Sequence, residues 1–85
     1  MSETKETRIK RLRMRSMRRG IKEMDLLLSA FADENLAEMS DANLDLYEQL
    51  LDENDHDLLQ WTTGHVSAPS AFAPMIETIS QTFQK

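Results

Sequence analysis

Only a few residues of this chain have the type and spacing for chemistry. Asp55-His56-Asp57 places an imidazole between two carboxylates, as in a metal site or a proton relay. The only other histidine is His65 and there is no cysteine, so no thiolate set and no His pair at i, i+4 can complete a ligand shell. The blander reading makes His56 an exposed first-turn residue, with Asp55 capping a helix and Asp57 favouring its dipole. No serine or threonine sits in a nucleophile elbow, and two glycines cannot build a phosphate-binding loop. No catalytic residue and no metal ligand is assigned.

Charge carries more information. Nine Lys or Arg fall within the first 22 residues, while twelve acids and only Lys85 among the bases follow Glu23. The sign changes at Arg18-Arg19-Gly20-Ile21-Lys22-Glu23-Met24-Asp25. With helix on either side of Gly20, Arg19 and Glu23 lie four apart and project from one face, an exposed acid–base pair beside bare backbone. Glu23 has a local reading too: with Gly20 as N-cap, it is the third helical residue and can reach back to the Gly20 amide. Gly20 either closes one helix in the left-handed conformation or opens the next.

The cationic segment has four readings: binding to nucleic-acid phosphates, to anionic lipid or to an acidic protein, or neutralisation of the chain's own acids. A net charge of −5 and the lack of any aromatic residue before Phe31 speak against nucleic acid. Asp41, Asp45, Glu48, Asp52 and Glu53 are either a solvated helix face or an acidic docking surface.

Eighty-five residues make one domain, too small to enclose a roomy catalytic cavity. No apolar run approaches the roughly 20 residues that span a bilayer. The basic start superficially resembles an organelle transit peptide, but Glu3 and Glu6 interrupt it. Absence of cysteine suits a reducing cytosol.

Periodicity supplies the elements. Thr7 is placed to cap a helix from Arg8 to about Arg18 or Arg19, with Ile9, Leu12 and Ser16 or Met17 on a narrow inward face. A central helix from Ile21 to about Asp33 turns Met24, Leu27, Leu28 and Phe31 inward, and residues 34–38 connect. Ser40 caps a third helix over 41–51 burying Leu44, Tyr47, Leu50 and Leu51. Asp55 caps a fourth through Leu58, Leu59, Trp61 and Thr62, with Gly64 at the stop. After a turn at Pro69, a fifth begins near Ser70 or Ala73 with Pro74 in its first turn and Phe72, Met75, Ile76, Ile79 and Phe83 inward. The expected fold is all-α: a single small five-helix bundle over 1–85, frayed at 1–6 and 84–85. Leu27, Leu28, Phe31, Tyr47, Leu51, Leu58, Trp61 and Ile79 are its expected core.

The run Arg-Ser-Met-Arg-Arg-Gly-Ile-Lys-Glu-Met-Asp-Leu-Leu-Leu, residues 15–28, resembles the Arg-Gly-x-x-Glu segment of the succinate dehydrogenase assembly factors, or flavinators. Residues 46–52 and Asp57-Leu58-Leu59-Gln60-Trp61 resemble that family's downstream stretch in the same order. His56 stands where the family commonly has proline, and Thr62-Thr63 replaces a more apolar pair. The resemblance covers residues 8 to about 64 and implies a five-helix bundle located in a bacterial cytoplasm. It further implies a non-catalytic assembly factor that binds the flavoprotein subunit of succinate dehydrogenase or fumarate reductase and promotes covalent FAD attachment. FAD would then be the client's cofactor, with no prosthetic group held by this chain, which would act as a monomer. Arg19, Gly20, Glu23 and Asp25 carry over as the partner-facing motif. Arg15 and Arg18 join them, the basic helix steering the encounter. The alternative is a nucleic-acid-linked or antitoxin-like regulator using the basic helix.

Overall fold

A computed structural model describes residues 3–82, and its element order is α1 (Lys5–Ser16), α2 (Lys22–Asn35), a 3₁₀ turn (Leu36–Glu38), α3 (Asp41–Leu51), α4 (Asp55–Thr63) and α5 (Ala73–Gln81). The expected all-α architecture of five helices is what forms. Each helix is short for independent stability, so burial of one face holds it. α1 packs on α2 and α3, α2 lies at the centre against α1, α4 and α5, and α4 packs on α5.

The core is the stripe of each helix. α2 supplies Met24, Leu27, Leu28, Phe31 and Ala32; α3 supplies Leu44, Tyr47, Leu50 and Leu51; Leu58, Met75, Ile76 and Ile79 close the far side. Phe31 meets Tyr47 with ring centroids 5.3 Å apart, and Trp61 meets Phe72 at 6.1 Å. Trp61, expected in the core, is only half-buried and packs against its edge. Phe83 and the expected frayed end at 84–85 lie outside the described residues.

Several boundaries differ from the sequence expectation, each because a nearer polar group takes the cap. Thr4, not Thr7, caps α1: its hydroxyl accepts the Thr7 amide at 3.1 Å, so Lys5 and Glu6 are helical. Asn54, not Asp55, caps α4, its side chain accepting the His56 amide at 2.8 Å. That leaves the Asp55 carboxylate unspent locally. The segment 34–38 is not a plain connector, because the 3₁₀ turn buries Leu36 completely. Ser40 caps α3 as expected, and Gly64 ends α4 at φ 83°, the left-handed region that favours glycine.

The largest departure is the α1–α2 corner. α1 ends at Ser16, two or three residues early, and the left-handed residue is Arg18 (φ 55°) rather than Gly20. Ser16 explains the stop. Its hydroxyl is buried, donates to the Leu12 carbonyl at 2.8 Å and lies 2.6 Å from the Tyr47 hydroxyl. With Ser16's one proton on Leu12, the phenol donates, pinning the end of α1 to the middle of α3.

Candidate functional site

The corner is built from the five residues between α1 and α2 and one distant carboxylate. Arg19 and Gly20 sit between the helices, and Asp55, on the first turn of α4, reaches across to both. Asp55 Oδ2 accepts the Gly20 amide at 2.7 Å; Asp55 Oδ1 accepts Arg19 Nε at 2.9 Å and pairs with Arg19 Nη2 at 2.7 Å. The same guanidinium donates to the Arg15 carbonyl at 3.1 Å and the Leu51 carbonyl at 3.2 Å. Arg19 thus satisfies orphan carbonyls at the ends of α1 and α3 while binding the start of α4. Its side chain keeps 12% of its surface in water and that of Asp55 18%.

The expected exposed Arg19–Glu23 pair does not form. A left-handed Arg18 and a non-helical Arg19 break the i, i+4 relation on which it depended. Arg19 turns inward and Glu23 stays outside. The expected Glu23–Gly20 capping arrangement is absent as well. Ile21 is the N-cap of α2 with no side-chain cap bond, and the Gly20 amide is taken by Asp55. Glu23 is exposed in the first turn of α2, with no side-chain hydrogen bond or ion pair among the described residues. Gly20 is exposed too. Glycine fits closely there: an added Cβ would lie 3.3 Å from Asp55 Oδ2, so the carboxylate that holds the amide would have to give by a few tenths of an ångström.

The other sequence-derived residues divide between frame and surface. Asp25 is half-buried, and its Oδ1 accepts Ser29 Oγ at 3.3 Å within α2. It is part of the frame beneath the corner. Arg15 pairs with Asp52 of the α3 C-cap, whereas Arg18 is exposed and unpaired among the described residues. Asp57 and His56 are exposed on α4. Among the described residues no group of three or more His, Cys, Asp or Glu side chains is placed to hold a metal ion.

The basic helix is substantially neutralised from within. Arg8 pairs with Asp45 and Glu48, Arg11 with Glu3 and Glu48, and Arg13 with Asp33. Hydrogen bonds from Arg11 and then Arg8 hold the Glu48 carboxyl below its ordinary 4.5, and that from Arg11 does the same for Glu3. Self-neutralisation is therefore the arrangement observed for α1, and the acidic stripe on α3 is largely its counterpart. The cationic side chains left exposed and unpaired among the described residues are Lys10, Arg18 and Lys22. A steering field from the whole of α1 is not what this surface presents.

Local sequence does not point to Asp55. It looked like a cap because it opens a helix, and nothing nearby shows that Asn54 takes that role and frees it for residues 36 and 35 positions earlier.

These features define a class: a small helical bundle whose most organised exposed feature is a braced interhelical corner. The family profile described as "Flavinator of succinate dehydrogenase" matches residues 10–83, and the chain belongs to that family. It is 54% identical over 61 residues to "Succinate dehydrogenase assembly factor 2, mitochondrial" of Meyerozyma guilliermondii, covering 72% of this chain and 45% of that protein. The protein of the same name from Mycosarcoma maydis is 43% identical over 77 residues, 91% of this chain and 32% of the relative. That from Schizosaccharomyces pombe is 45% identical over 67 residues, 79% and 48% respectively. The chain thus spans between about a third and a half of these relatives.

The comparisons correct one expectation. The relatives are fungal proteins named as mitochondrial, which overturns the bacterial cytoplasmic assignment. Its compositional ground, the absence of cysteine, does not separate a bacterial cytoplasm from a mitochondrial interior. No helix among the described residues is long and apolar enough to cross a membrane.

Proposed function

We propose that this chain is a non-catalytic assembly factor that binds the flavoprotein subunit of succinate dehydrogenase, or its fumarate reductase counterpart, and promotes covalent attachment of FAD there. Family membership supports the assembly role. The observation that carries the docking surface is the unpaired, exposed Glu23 beside the exposed backbone of Gly20. A carboxylate with no partner among the described residues is free to take a cation or amide of the client, and a residue without a side chain lets the client's backbone approach. FAD supplies the electron sink for its own attachment and belongs to the client. This chain contributes by ordering the client so that the reacting atoms meet, a proximity effect.

The proposal revises the part assigned to Arg19. A guanidinium already shared among Asp55, Arg15 and Leu51 has little capacity left for a client carboxylate. Glu23, Gly20 and the unpaired Arg18 form the contact surface, with Asp25, Arg15 and Arg19 beneath or beside it.

Coexpression with a succinate dehydrogenase flavoprotein, followed by denaturing electrophoresis and in-gel flavin fluorescence, tests this. Glu23→Ala is expected to leave helicity and melting temperature unchanged and to reduce covalent flavin roughly tenfold, as loss of a charge-assisted contact at an interface centre does. Full flavinylation with Glu23→Ala would remove the surface from the mechanism.

A further inference from the structure

We propose that Asp55 is the positioning residue of the α1–α2 corner: by gripping the Gly20 amide and the Arg19 guanidinium together, it sets the backbone shape that a docking protein meets. The inference rests on the docking surface proposed above and assigns its control to a residue on another helix.

Four observations carry it. The Asp55 carboxylate divides its two oxygens, Oδ2 to Gly20 and Oδ1 to Arg19, so both contacts fix one side-chain orientation. Asp55 is free to do this because Asn54 performs the capping at the start of α4. Ile21 lacks a side-chain cap bond, so the entrance to α2 is held from outside its own sequence. Arg18 is held left-handed in the same turn, a conformation disfavoured for a non-glycine residue that needs surrounding contacts to persist. Without the carboxylate, the Gly20 amide loses its acceptor and the Arg19 guanidinium keeps only the Arg15 and Leu51 carbonyls, so the turn carrying Gly20 into Glu23 is released. Arg19 acts through Asp55 and the two carbonyls rather than by touching the partner.

The chain's two glycines make the test direct, because Gly20 and Gly64 give separate amide signals in a proton–nitrogen correlation spectrum. In Asp55→Ala the Gly20 amide proton is expected to move upfield as its charge-assisted bond is lost, while Gly64 stays in place. Binding to a purified succinate dehydrogenase flavoprotein subunit lacking covalent flavin is then measured where circular dichroism shows each variant folded. Asp55→Ala is expected to weaken binding about tenfold, and Asp55→Asn, which keeps an acceptor oxygen, to recover part of it. Arg19→Ala combined with Asp55→Ala should bind no worse than Asp55→Ala alone. Unchanged binding in Asp55→Ala, with Glu23→Ala impaired, overturns the positioning role. Additive losses from Arg19 and Asp55 overturn it too, since Arg19 would then touch the partner. A Glu23→Ala protein that binds fully defeats the docking surface itself, and is recognisable because that variant leaves the Gly20 signal unmoved.

Discussion

Two sets of arginine–carboxylate pairs flank α1, and they behave as different kinds of interaction. Along the ladder facing α3 and α2, the carboxylates of Asp33, Asp45, Glu48 and Asp52 retain 31–69% of their side-chain surface in water and their arginines 18–52%. At the corner, Arg19 and Asp55 retain 12% and 18%, and the pair is tied to three backbone groups. Exposed pairs exchange water for each other at little net gain. A mostly desolvated pair anchored to backbone resists loss of either partner, because the survivor keeps its desolvation cost. Charge density along the chain is highest in the ladder, yet structural consequence concentrates at the corner.

The sharpest way to break this comparison is to remove one arginine from each region. Arg19→Ala is expected to cost roughly 2–3 kcal/mol, since Asp55 then keeps only the Gly20 amide. For a domain this small, that is a fall in melting temperature of about 10 °C or more. Arg13→Ala, on the ladder, is expected to stay within about 0.5 kcal/mol of the parent. Equal losses in thermal unfolding would erase the distinction.

A smaller effect is expected where the two regions share a foundation, the Tyr47–Ser16 bond. Burial pushes the Tyr47 phenol from 10.0 up to about 12, so its neutral form is favoured in the fold. A group whose folded value is raised contributes stability that is complete below the unfolded value and is lost as pH rises through the folded one. Unfolding free energy should therefore drop between pH 10 and about 12. Tyr47→Phe is expected to cost about 1 kcal/mol at neutral pH and to lack this alkaline decline. An identical alkaline slope in both proteins would detach Tyr47 from it.

How much of this was legible in the sequence follows from how local each cause is. Met24, Leu27, Leu28 and Phe31 lie on one helical face by spacing alone, and Ser40 and Gly64 are stop-and-start residues whose effect ends within a turn. Those were readable. Thr4 against Thr7, and Asn54 against Asp55, are choices between neighbouring competent caps that local sequence leaves open. Leu36 was hidden because a three-residue turn has too little periodicity to read. At the corner, the motif's position was visible but its geometry was not. A helical projection put Arg19 and Glu23 together, whereas Ser16 ends α1 early through a bond to Tyr47, 31 positions on. Asp55 was unreadable for the same reason, since its targets are far away in sequence.

The last and smallest expectation concerns acid. Glu48 is held below its ordinary 4.5 by hydrogen bonds from Arg11 and Arg8. A carboxyl depressed in the fold contributes stability that is present above its unfolded value and lost as pH falls through the folded one. Stability should decline below pH 4.5, and Glu48→Gln should flatten that decline while costing only a few tenths of a kcal/mol at neutral pH, because the carboxylate keeps about a third of its surface in water and the amide retains an acceptor oxygen. At about 1 M salt, where screening acts over roughly 3 Å, parent and variant should converge. The Arg19–Asp55 pair, shielded from mobile ions, should keep most of its contribution under the same salt. Chemical unfolding of Glu48→Gln and Arg19→Ala at low and high salt separates the two: convergence with the parent for the first and a persistent gap for the second is the pattern that unequal desolvation requires, and a gap that closes for both would make the corner one more rung of the ladder.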